Sequence, residues 1–466
     1  MGIYNALFTG ASGLSSFGEA VRVIGDNIAN VNSLGFKSQN VVFSDVLSQT
    51  VGVTRSNIAN QVGNGVRIGA ITRDSQQGSI QSTTNPTDMA INGNGLFAMR
   101  DPASSQLSYS RAGAFILDKD SNLIDGQGNV VQGWATDPVS DEAIGKVTDI
   151  AFANLAAQAQ ATAKVTSGIS LDSNAAALAA GTSFSATDPA TYHYKAEVNV
   201  FDSLGKTHGV SLQFTKMGLD ASGDAVWDWH ATVDGADVTG GTGGTPKEVG
   251  VGAGQTLPTA STVNAGTGVV TAVGTQSLVF GSSGELITEA SPKLTFQWTS
   301  ATPGVIAMDF GNATTTDGQG VTGTGLDGTV QMAGSFATRQ MVRDGFTAGF
   351  LDKLETDSSG RIFGVFTNGQ RRSLYQVALA KFPNADVLNH VGNNLLQETI
   401  ASGTPVLEKP GNGGMGTIAP FGLEQSNVDL ANEFVKLIVV QRGYEANSKT
   451  ILTTDQMLSS LMQIKR

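Results

Sequence analysis

Both ends of this chain carry apolar residues at heptad spacing, whereas the long sequence between them does not. At the N-terminus the row alternates steps of four and three residues and is interrupted only by Gly10. At the C-terminus one row recurs every seven residues, and its companion row is half polar. This is the a/d pattern of a coiled coil. The two rows predict self-assembly through Ile3, Leu7, Leu14, Phe17, Val21, Ile24, Ile28, Val31, Leu423, Leu430, Phe434, Leu437, Tyr444, Ile451 and Leu458.

An alternative is that the two ends are amphipathic helices of an ordinary core. Glycines at four positions of the N-terminal stripe argue against it, because each costs about 1 kcal/mol relative to alanine inside a helix. Such a helix is marginal alone and needs packing partners. We therefore predict terminal segments that become ordered on assembly; the glycines are Gly10, Gly13, Gly18 and Gly25.

The middle of the chain has the composition of a β protein. The 466 residues include 58 glycines, and Thr, Ser, Val and Asn are abundant, which is typical of short strands joined by tight turns. Asn92-Gly93 and Asn368-Gly369 each predict a β-hairpin. Strand-like runs occupy residues 114–117, 129–134, 196–201, 210–214, 294–298, 305–310, 361–367 and 374–381.

These patterns predict a multidomain fold, with mainly β outer domains and α-helical coiled-coil N- and C-terminal segments. Residues 153–181 are rich in Ala, and residues 235–275 are built from Gly, Thr, Val and Ala. Such belts mark boundaries or long loops. The predicted domains are nested and discontinuous: a terminal coiled-coil domain at 1–35 and 423–466, a β-rich middle domain with a connecting segment at 36–164 and 341–422, and an inserted outer β domain at 165–340.

Charge is distributed unevenly along the chain. The formal net charge is −12, yet the charges within residues 1–40 and within residues 424–466 each sum to zero. Neutral ends can pack against copies of themselves while an acidic middle stays solvated. The acidic excess argues against a nucleic-acid partner. No apolar run approaches the roughly 18 residues of a membrane span, and the N-terminus lacks the pattern of a cleaved signal peptide.

Residues suited to catalysis or metal binding are sparse. The chain has no cysteine and only four histidines, which lie far apart, so thiolate chemistry is excluded and no metal-ligand spacing occurs. A GxGxxG sequence at 318–323 is not followed by a helix-forming segment. Asp118–Asn122 resembles the start of a calcium loop, but Leu123 and Asn129 replace the required Gly and Glu; a β-hairpin turn is favoured. We predict no catalytic residue, no cofactor, no metal and no enzymatic activity.

The chain carries the motifs ANVNSLGFK at 29–37, SNVDLA at 426–431, QRGYEANSK at 441–449 and TDQML at 454–458, with further matches at 91–97, 109–115, 126–134, 200–205, 368–369 and 378–382. These motifs resemble those of the bacterial flagellar rod and hook axial proteins. The family positions they carry are Asn30, Asn32, Gly35, Phe36, Lys37, Ser426, Asn427, Val428, Asp429, Gln441, Arg442, Tyr444 and Asn447.

The resemblance implies a subunit of a helical homopolymer, exported unfolded by the flagellar type III apparatus and assembled outside the cell. It also implies contacts with the rod proximally, with hook–filament junction proteins distally and with the hook cap during assembly. The large insertion at 165–340 favours the hook subunit, which forms a curved, flexible tube, over the distal rod subunit. A secreted Gly/Thr-rich surface adhesin is a further alternative.

Overall fold

The computed structural model describes residues 2–53, 59–137, 140–153, 155–250, 256–290, 293–315 and 322–464. In these ranges the chain is mostly β, with two α-helices, α1 (Gly2–Ala29) and α2 (Leu430–Ile464), and 3-10 turns at Pro189–Thr191 and Ala385–Val387. Two compact units are present. The first contains Met1–Leu155, Leu351–Val365 and Arg371–Arg466, and the second contains Ala156–Phe350 and Phe366–Gln370.

The described strands are short and are numbered in chain order. Those up to residue 149 are β1 (Gln39–Asp45), β2 (Gln49–Val53), β3 (Ala59–Val62), β4 (Val66–Arg73), β5 (Ile80–Ser82), β6 (Met89–Asn92), β7 (Leu96–Arg100), β8 (Leu107–Ser110), β9 (Ile116–Leu117), β10 (Leu123–Ile124), β11 (Val130–Thr136) and β12 (Ala143–Asp149). Those from 156 to 343 are β13 (Ala156–Ala157), β14 (Lys164–Asp172), β15 (Tyr194–Phe201), β16 (Thr207–Leu219), β17 (Ala225–Asp234), β18 (Pro246–Glu248), β19 (Thr262–Val263), β20 (Val270–Ala272), β21 (Ser277–Phe280), β22 (Leu286–Glu289), β23 (Lys293–Phe296), β24 (Gly304–Asp309), β25 (Val330–Met332) and β26 (Ala337–Arg343). The remainder are β27 (Gly349–Thr356), β28 (Arg361–Phe366), β29 (Arg371–Val377), β30 (Leu379–Lys381), β31 (Asn389–Gly392), β32 (Leu395–Gln397), β33 (Val406–Glu408), β34 (Thr417–Pro420) and β35 (Gly422–Glu424).

Strand β11 lies at the centre of the first unit. It pairs antiparallel with β7, β12 and β29, and its apolar side chains join a core that includes Phe97 and Phe115, whose rings meet edge to face at 5.1 Å. Strands from both sides of the insertion therefore build one core, because antiparallel pairing requires spatial rather than sequential proximity.

Strand β17 organises the second unit, and nine of its ten residues are buried. Trp227 and Trp229 enter one apolar cluster, whereas Val226, which precedes Trp227, enters another with Val270 and Val279. Alternate residues of a strand point to opposite faces, so both faces of this part of the sheet are covered.

The terminal segments are two single helices, and the predicted coiled coil was wrong. The apolar row of α1 is divided between α2 and the β1–β4 hairpin: Phe17 packs 5.5 Å from Phe43, and Val41 joins the same cluster. Leu423, counted in the C-terminal row, lies in β35 before α2 begins. Heptad spacing specifies an apolar stripe but not the element that packs against it. Here the β1–β4 strands cover a part of the α1 stripe that a second helix would cover in a coiled coil.

Three local predictions have clear outcomes. The hairpin at Asn368-Gly369 is confirmed by β28–β29 pairing, and the turn at Asp118–Asn122 by β9–β10 pairing. The Asp118 carboxylate accepts hydrogen bonds from the backbone N–H groups of Asp120 and Asn122. The hairpin at Asn92-Gly93 was wrong, because β6 pairs with β34, more than 300 residues away. The GxGxxG sequence lies largely outside the described residues.

Candidate assembly surface

The helices α1 and α2 approach closely at small residues. A Cβ placed on Gly10 would lie 2.8 Å from Ile451 Cγ1, and one on Gly13 would lie 2.5 Å from the Asn447 side chain. Gly443 of α2 faces the Phe17 ring of α1 in the same way, at 2.8 Å. These glycines lower helix propensity, but at this contact they also make room for side chains of the opposite helix.

An apolar cluster extends this contact along both helices. Ala20, Ile24 and Val440 are buried at its centre. Half-buried side chains surround them, among which Leu437 is contributed by α2. Because burying an apolar side chain stabilises by about 1.5–3 kcal/mol, this cluster accounts for much of the helix pairing in a single chain.

Other apolar side chains of the two helices remain exposed. Val439 is 63% exposed in the middle of α2, and Phe8 is 71% exposed near the start of α1. Contiguous exposed apolar patches are uncommon on monomeric soluble proteins and mark interaction sites. The exposed large apolar side chains of the two helices are Tyr4, Phe8, Leu430, Phe434, Val435, Ile438, Val439, Tyr444, Leu452, Met457 and Met462.

The structure places the side chains of the predicted self-assembly row in two environments. Buried or half-buried positions are Leu7, Leu14, Phe17, Val21, Ile24, Ile28, Val31, Leu423, Leu437, Ile451 and Leu458, and exposed positions are Leu430, Phe434 and Tyr444. The side chain of Ile3 lies outside the described residues. Sequence reasoning missed the exposed face at Val435, Ile438 and Val439, although the run LIVV at 437–440 places apolar residues on more than one side of a helix.

The two terminal motifs meet at a buried carboxylate. Glu424 is fully buried, and its Oε1 accepts a hydrogen bond from Lys37 Nζ at 2.5 Å and from the Gly78 N–H at 3.0 Å. Arg111 Nε lies 3.3 Å from Oε2 of the same carboxylate. Burial lowers the pKa of Lys37 and of Arg111, and the Glu424 carboxylate opposes that shift in both. The ion cluster therefore joins the segment after α1 to the segment before α2.

Backbone geometry explains the glycine of the N-terminal motif. Gly35 has φ +67°, and a Cβ there would lie 2.8 Å from the backbone nitrogen of Ala112. Its N–H donates to the Glu424 carbonyl oxygen at 2.8 Å. A left-handed residue in close contact with another backbone requires glycine, so this position determines how closely the two motifs approach.

Asparagine side chains connect the same segments through backbone hydrogen bonds. Asn427 Oδ1 accepts from the Ser38 N–H at 2.8 Å, and its Nδ2 donates to carbonyl oxygens of Asp74 and Gln76. Asn27 is fully buried and makes the equivalent pair of bonds with the backbone of Gln39. A buried amide with several satisfied hydrogen bonds specifies one arrangement, because any other leaves polar groups unpaired.

The remaining motif positions are structural or exposed. Asp429 accepts from the backbone N–H groups of Ala431 and Asn432 and so caps α2. Ser426 Oγ accepts from the Val428 N–H. Phe36 is buried, whereas Asn32, Gln441 and Arg442 are exposed; Asn30 bonds back to Asp26. In the described ranges, no group of three or more His, Asp or Glu side chains is placed to hold a metal ion.

Replacing Gly10 by leucine is expected to weaken the α1–α2 contact. The added side chain must displace Ile451, and overpacking of this kind costs about 1–3 kcal/mol. A Cβ placed on Gly18 would meet no neighbouring atom within 4 Å, so Gly18→Leu should instead gain about 0.8 kcal/mol of helix propensity. Thermal unfolding followed by circular dichroism at the helix band measures the stability of both variants. Equal shifts of the unfolding temperature in the two variants would contradict the close contact at Gly10.

A mostly β chain with two terminal helices, whose apolar surface has no cover among the described residues, is typical of a structural subunit that assembles with copies of itself. Three family models match: the flagellar hook protein FlgE/F/G D1 domain at residues 90–181, the flagellar basal body protein FlaE D2 domain at 170–346, and the flagellar basal body rod FlgEFG protein C-terminal region at 422–464.

Relatives that align with this chain over nearly their full length are flagellar hook proteins. The chain is 31% identical to flagellar hook protein FlgE of Borreliella burgdorferi over 99% of both chains, and 31% identical to that of Escherichia coli over 97% of this chain and 98% of the relative. The crystal structure of Helicobacter pylori flagellar hook protein FlgE2 aligns with a TM-score of 0.47 and 12% identity, covering 74% of this chain and 99% of that chain. The chain belongs to the flagellar hook protein family and is a structural subunit of the hook. Among the described residues, no helix has the length and apolarity needed to cross a membrane.

Proposed function

We propose that this subunit polymerises through α1 and α2 into a curved, flexible tube that couples the flagellar rod to the filament and transmits motor torque for motility. The observation that carries the proposal is the exposed apolar face around Val439, on the same helix as Val440 of the buried contact between α1 and α2. Covering such a face contributes about 25 cal/mol per Å², and the gain recurs at every copy of a homopolymer. We infer a mechanical role without catalysis.

The proposal extends to partners and location. The tube would contact the rod at its proximal end and the hook–filament junction proteins at its distal end, with a cap present during growth. Subunits would reach this extracellular site through the flagellar type III export apparatus. The family membership supports these partners.

Electron microscopy of polymers grown from the purified chain tests the function. We expect curved tubes, whereas a distal rod subunit would give short, straight cylinders and an adhesin would stay monomeric. In a motile host, deleting the gene should remove the axial segment between rod and filament. Intact hooks in that strain would contradict the proposal.

We further propose that the terminal segments 1–35 and 423–466 form the inner tube, that 36–164 and 341–422 form a middle layer, and that 165–340 lies outermost and adjusts curvature. A bending tube requires neighbouring subunits to slide, and tightly packed apolar surfaces resist sliding. Polar, wet surfaces re-form at small cost, and the middle of the chain is acidic and rich in small polar residues.

Deleting residues 165–343 should leave a chain that still polymerises into straighter or differently curved tubes. The deletion can be closed with a short glycine linker, because Val165 pairs directly with Arg343 across β14 and β26. Curvature is measured on negatively stained tubes, with a full-length chain carrying the same linker inserted in the exposed Gly243-Gly244 loop as the control. A tube of unchanged curvature, or a folded monomer that never polymerises, would contradict this division.

A further inference from the structure

A cavity of about 230 Å³ opens in the first unit beside the segment 35–37. Apolar side chains such as Phe36, Leu96 and Phe382 form part of its wall. Cationic side chains form another part, namely Lys37, Arg73, Arg111 and Lys381, and Asp386 is the one carboxylate among the described residues that line the cavity. The cavity therefore offers both an apolar surface and positive charge, a combination that fits an amphipathic anion rather than a neutral or cationic group.

The cationic side chains of this cavity outnumber the carboxylates that pair with them. Lys37 and Arg111 share the single carboxylate of Glu424. The Arg73 side chain makes no ion pair or hydrogen bond within the described part of the chain, and Asp386 acts on it only as a more distant charge. Lys381 is exposed and likewise has no carboxylate partner among the described side chains. Four cations thus face two carboxylates, Asp386 and Glu424, so the pocket keeps an excess of positive charge in a chain whose net charge is −12.

Burial makes this positive charge unfavourable in the free subunit. It lowers the pKa of Arg73, and it lowers the pKa of His390, on which the charge of Arg73 acts in the same direction. Desolvation and a like charge both disfavour a cation. An anion entering the cavity would oppose both effects, and its hydrogen bonds to a guanidinium would be stronger than bonds between neutral groups.

We propose that this cavity binds an acidic side chain, next to an apolar one, from a second copy of the chain. The inference rests on the proposed polymerisation. Charge complementarity selects the occupant: the excess acidic residues of the chain lie between its neutral ends, and opposite charges on two copies favour their association. A cavity of about 230 Å³ accommodates one or two side chains but no whole helix.

Photo-crosslinking in assembled tubes tests the occupant directly. Ser75 lines the cavity and is exposed, so p-benzoylphenylalanine in its place should leave the fold intact. Tubes grown from a mixture of 14N-labelled and 15N-labelled subunits distinguish crosslinks between copies from those within one. We expect crosslinks between copies, to a peptide that contains Asp or Glu. Crosslinks confined to one chain, or to a peptide without an acidic residue, would overturn the proposal.

Charge removal supplies an independent measurement. The double variant Arg73→Gln/Lys381→Gln should raise the critical concentration for polymerisation about tenfold at low salt, the effect of losing roughly 1.4 kcal/mol per contact. The effect should diminish at high salt as charges are screened. The control is Lys119→Gln/Lys146→Gln, which removes two exposed cations of the same unit and should leave the critical concentration unchanged.

Two further outcomes separate the possible failures. If the wild-type chain forms no tubes, the proposed function fails. If it forms tubes and the double variant matches the control at low salt, only the pocket inference fails. Calorimetric titration of the monomer with acetate and with inorganic phosphate probes a free anion as the occupant; saturable binding of either, together with unimpaired polymerisation of the double variant, would also overturn the proposal.

Discussion

Val439→Asp is expected to abolish polymerisation while leaving the isolated subunit as stable as the wild type. Val439 is 63% exposed in the single chain, so a carboxylate there remains solvated, and surface substitutions usually change stability by no more than about 0.5 kcal/mol. In a tube that buries the α2 face, each copy would instead bury an unpaired charge at a cost of several kcal/mol. Since about 1.4 kcal/mol corresponds to a tenfold change in an equilibrium constant, the critical concentration for polymerisation should rise more than a hundredfold.

Two variants of the same helix make this test specific. Gln456→Asp adds the same charge at an exposed polar position and should raise the critical concentration far less. Leu437→Asp places the charge in the cluster between α1 and α2, so it should abolish tubes and also loosen the terminal helices of the monomer. Sedimentation gives the critical concentration, and denaturant unfolding gives monomer stability. Tubes from Val439→Asp at the wild-type concentration would contradict the proposed assembly face.

Glu424→Gln is expected to lower the free energy of unfolding of the isolated subunit by about 3–5 kcal/mol, because removing one member of a buried ion cluster leaves its partners without a counter-charge. Glu424 is fully buried between Lys37 and Arg111. The amide keeps the shape of the carboxylate, so the loss of unfolding free energy is due to the missing charge and not to a change in side-chain volume. Denaturant titration of the monomer measures the change.

The matched control is Glu398→Gln, an exposed carboxylate of the same unit, for which we expect a change within about 0.5 kcal/mol. Salt provides a second criterion. Buried pairs are screened much less than exposed ones, so the loss in Glu424→Gln should be nearly the same at low and high ionic strength. A loss no larger than that of the control would show that the two motifs are joined mainly by their asparagines and backbone contacts.

Features of the fold that depend on local sequence could be predicted. The apolar stripe gave the N-terminal helix, and alternating apolar residues gave strands such as Ala196–Phe201 and Val305–Phe310 close to their observed bounds. The turn at Asp118 could be predicted because its short side chain accepts hydrogen bonds from the backbone of its own loop. Helix and strand periodicity and turn hydrogen bonds are properties of neighbouring residues, so they can be read before the partners are known.

Partners that lie far apart in the sequence could not be predicted, and they determined the assembly surface. Lys37 meets Glu424 across 387 residues, and Asn92 pairs with Thr417 although Asn92-Gly93 has the chemistry of a hairpin turn. Gly10 fixes a close contact with Ile451 that its sequence position does not reveal. The sequence by itself determined the two terminal helices, the β-rich middle and the family. Only the tertiary structure decided that the β1–β4 strands and α2 share the apolar stripe of α1 and that the outer face of α2 stays exposed. The reason is that periodicity defines an apolar surface but not what covers it.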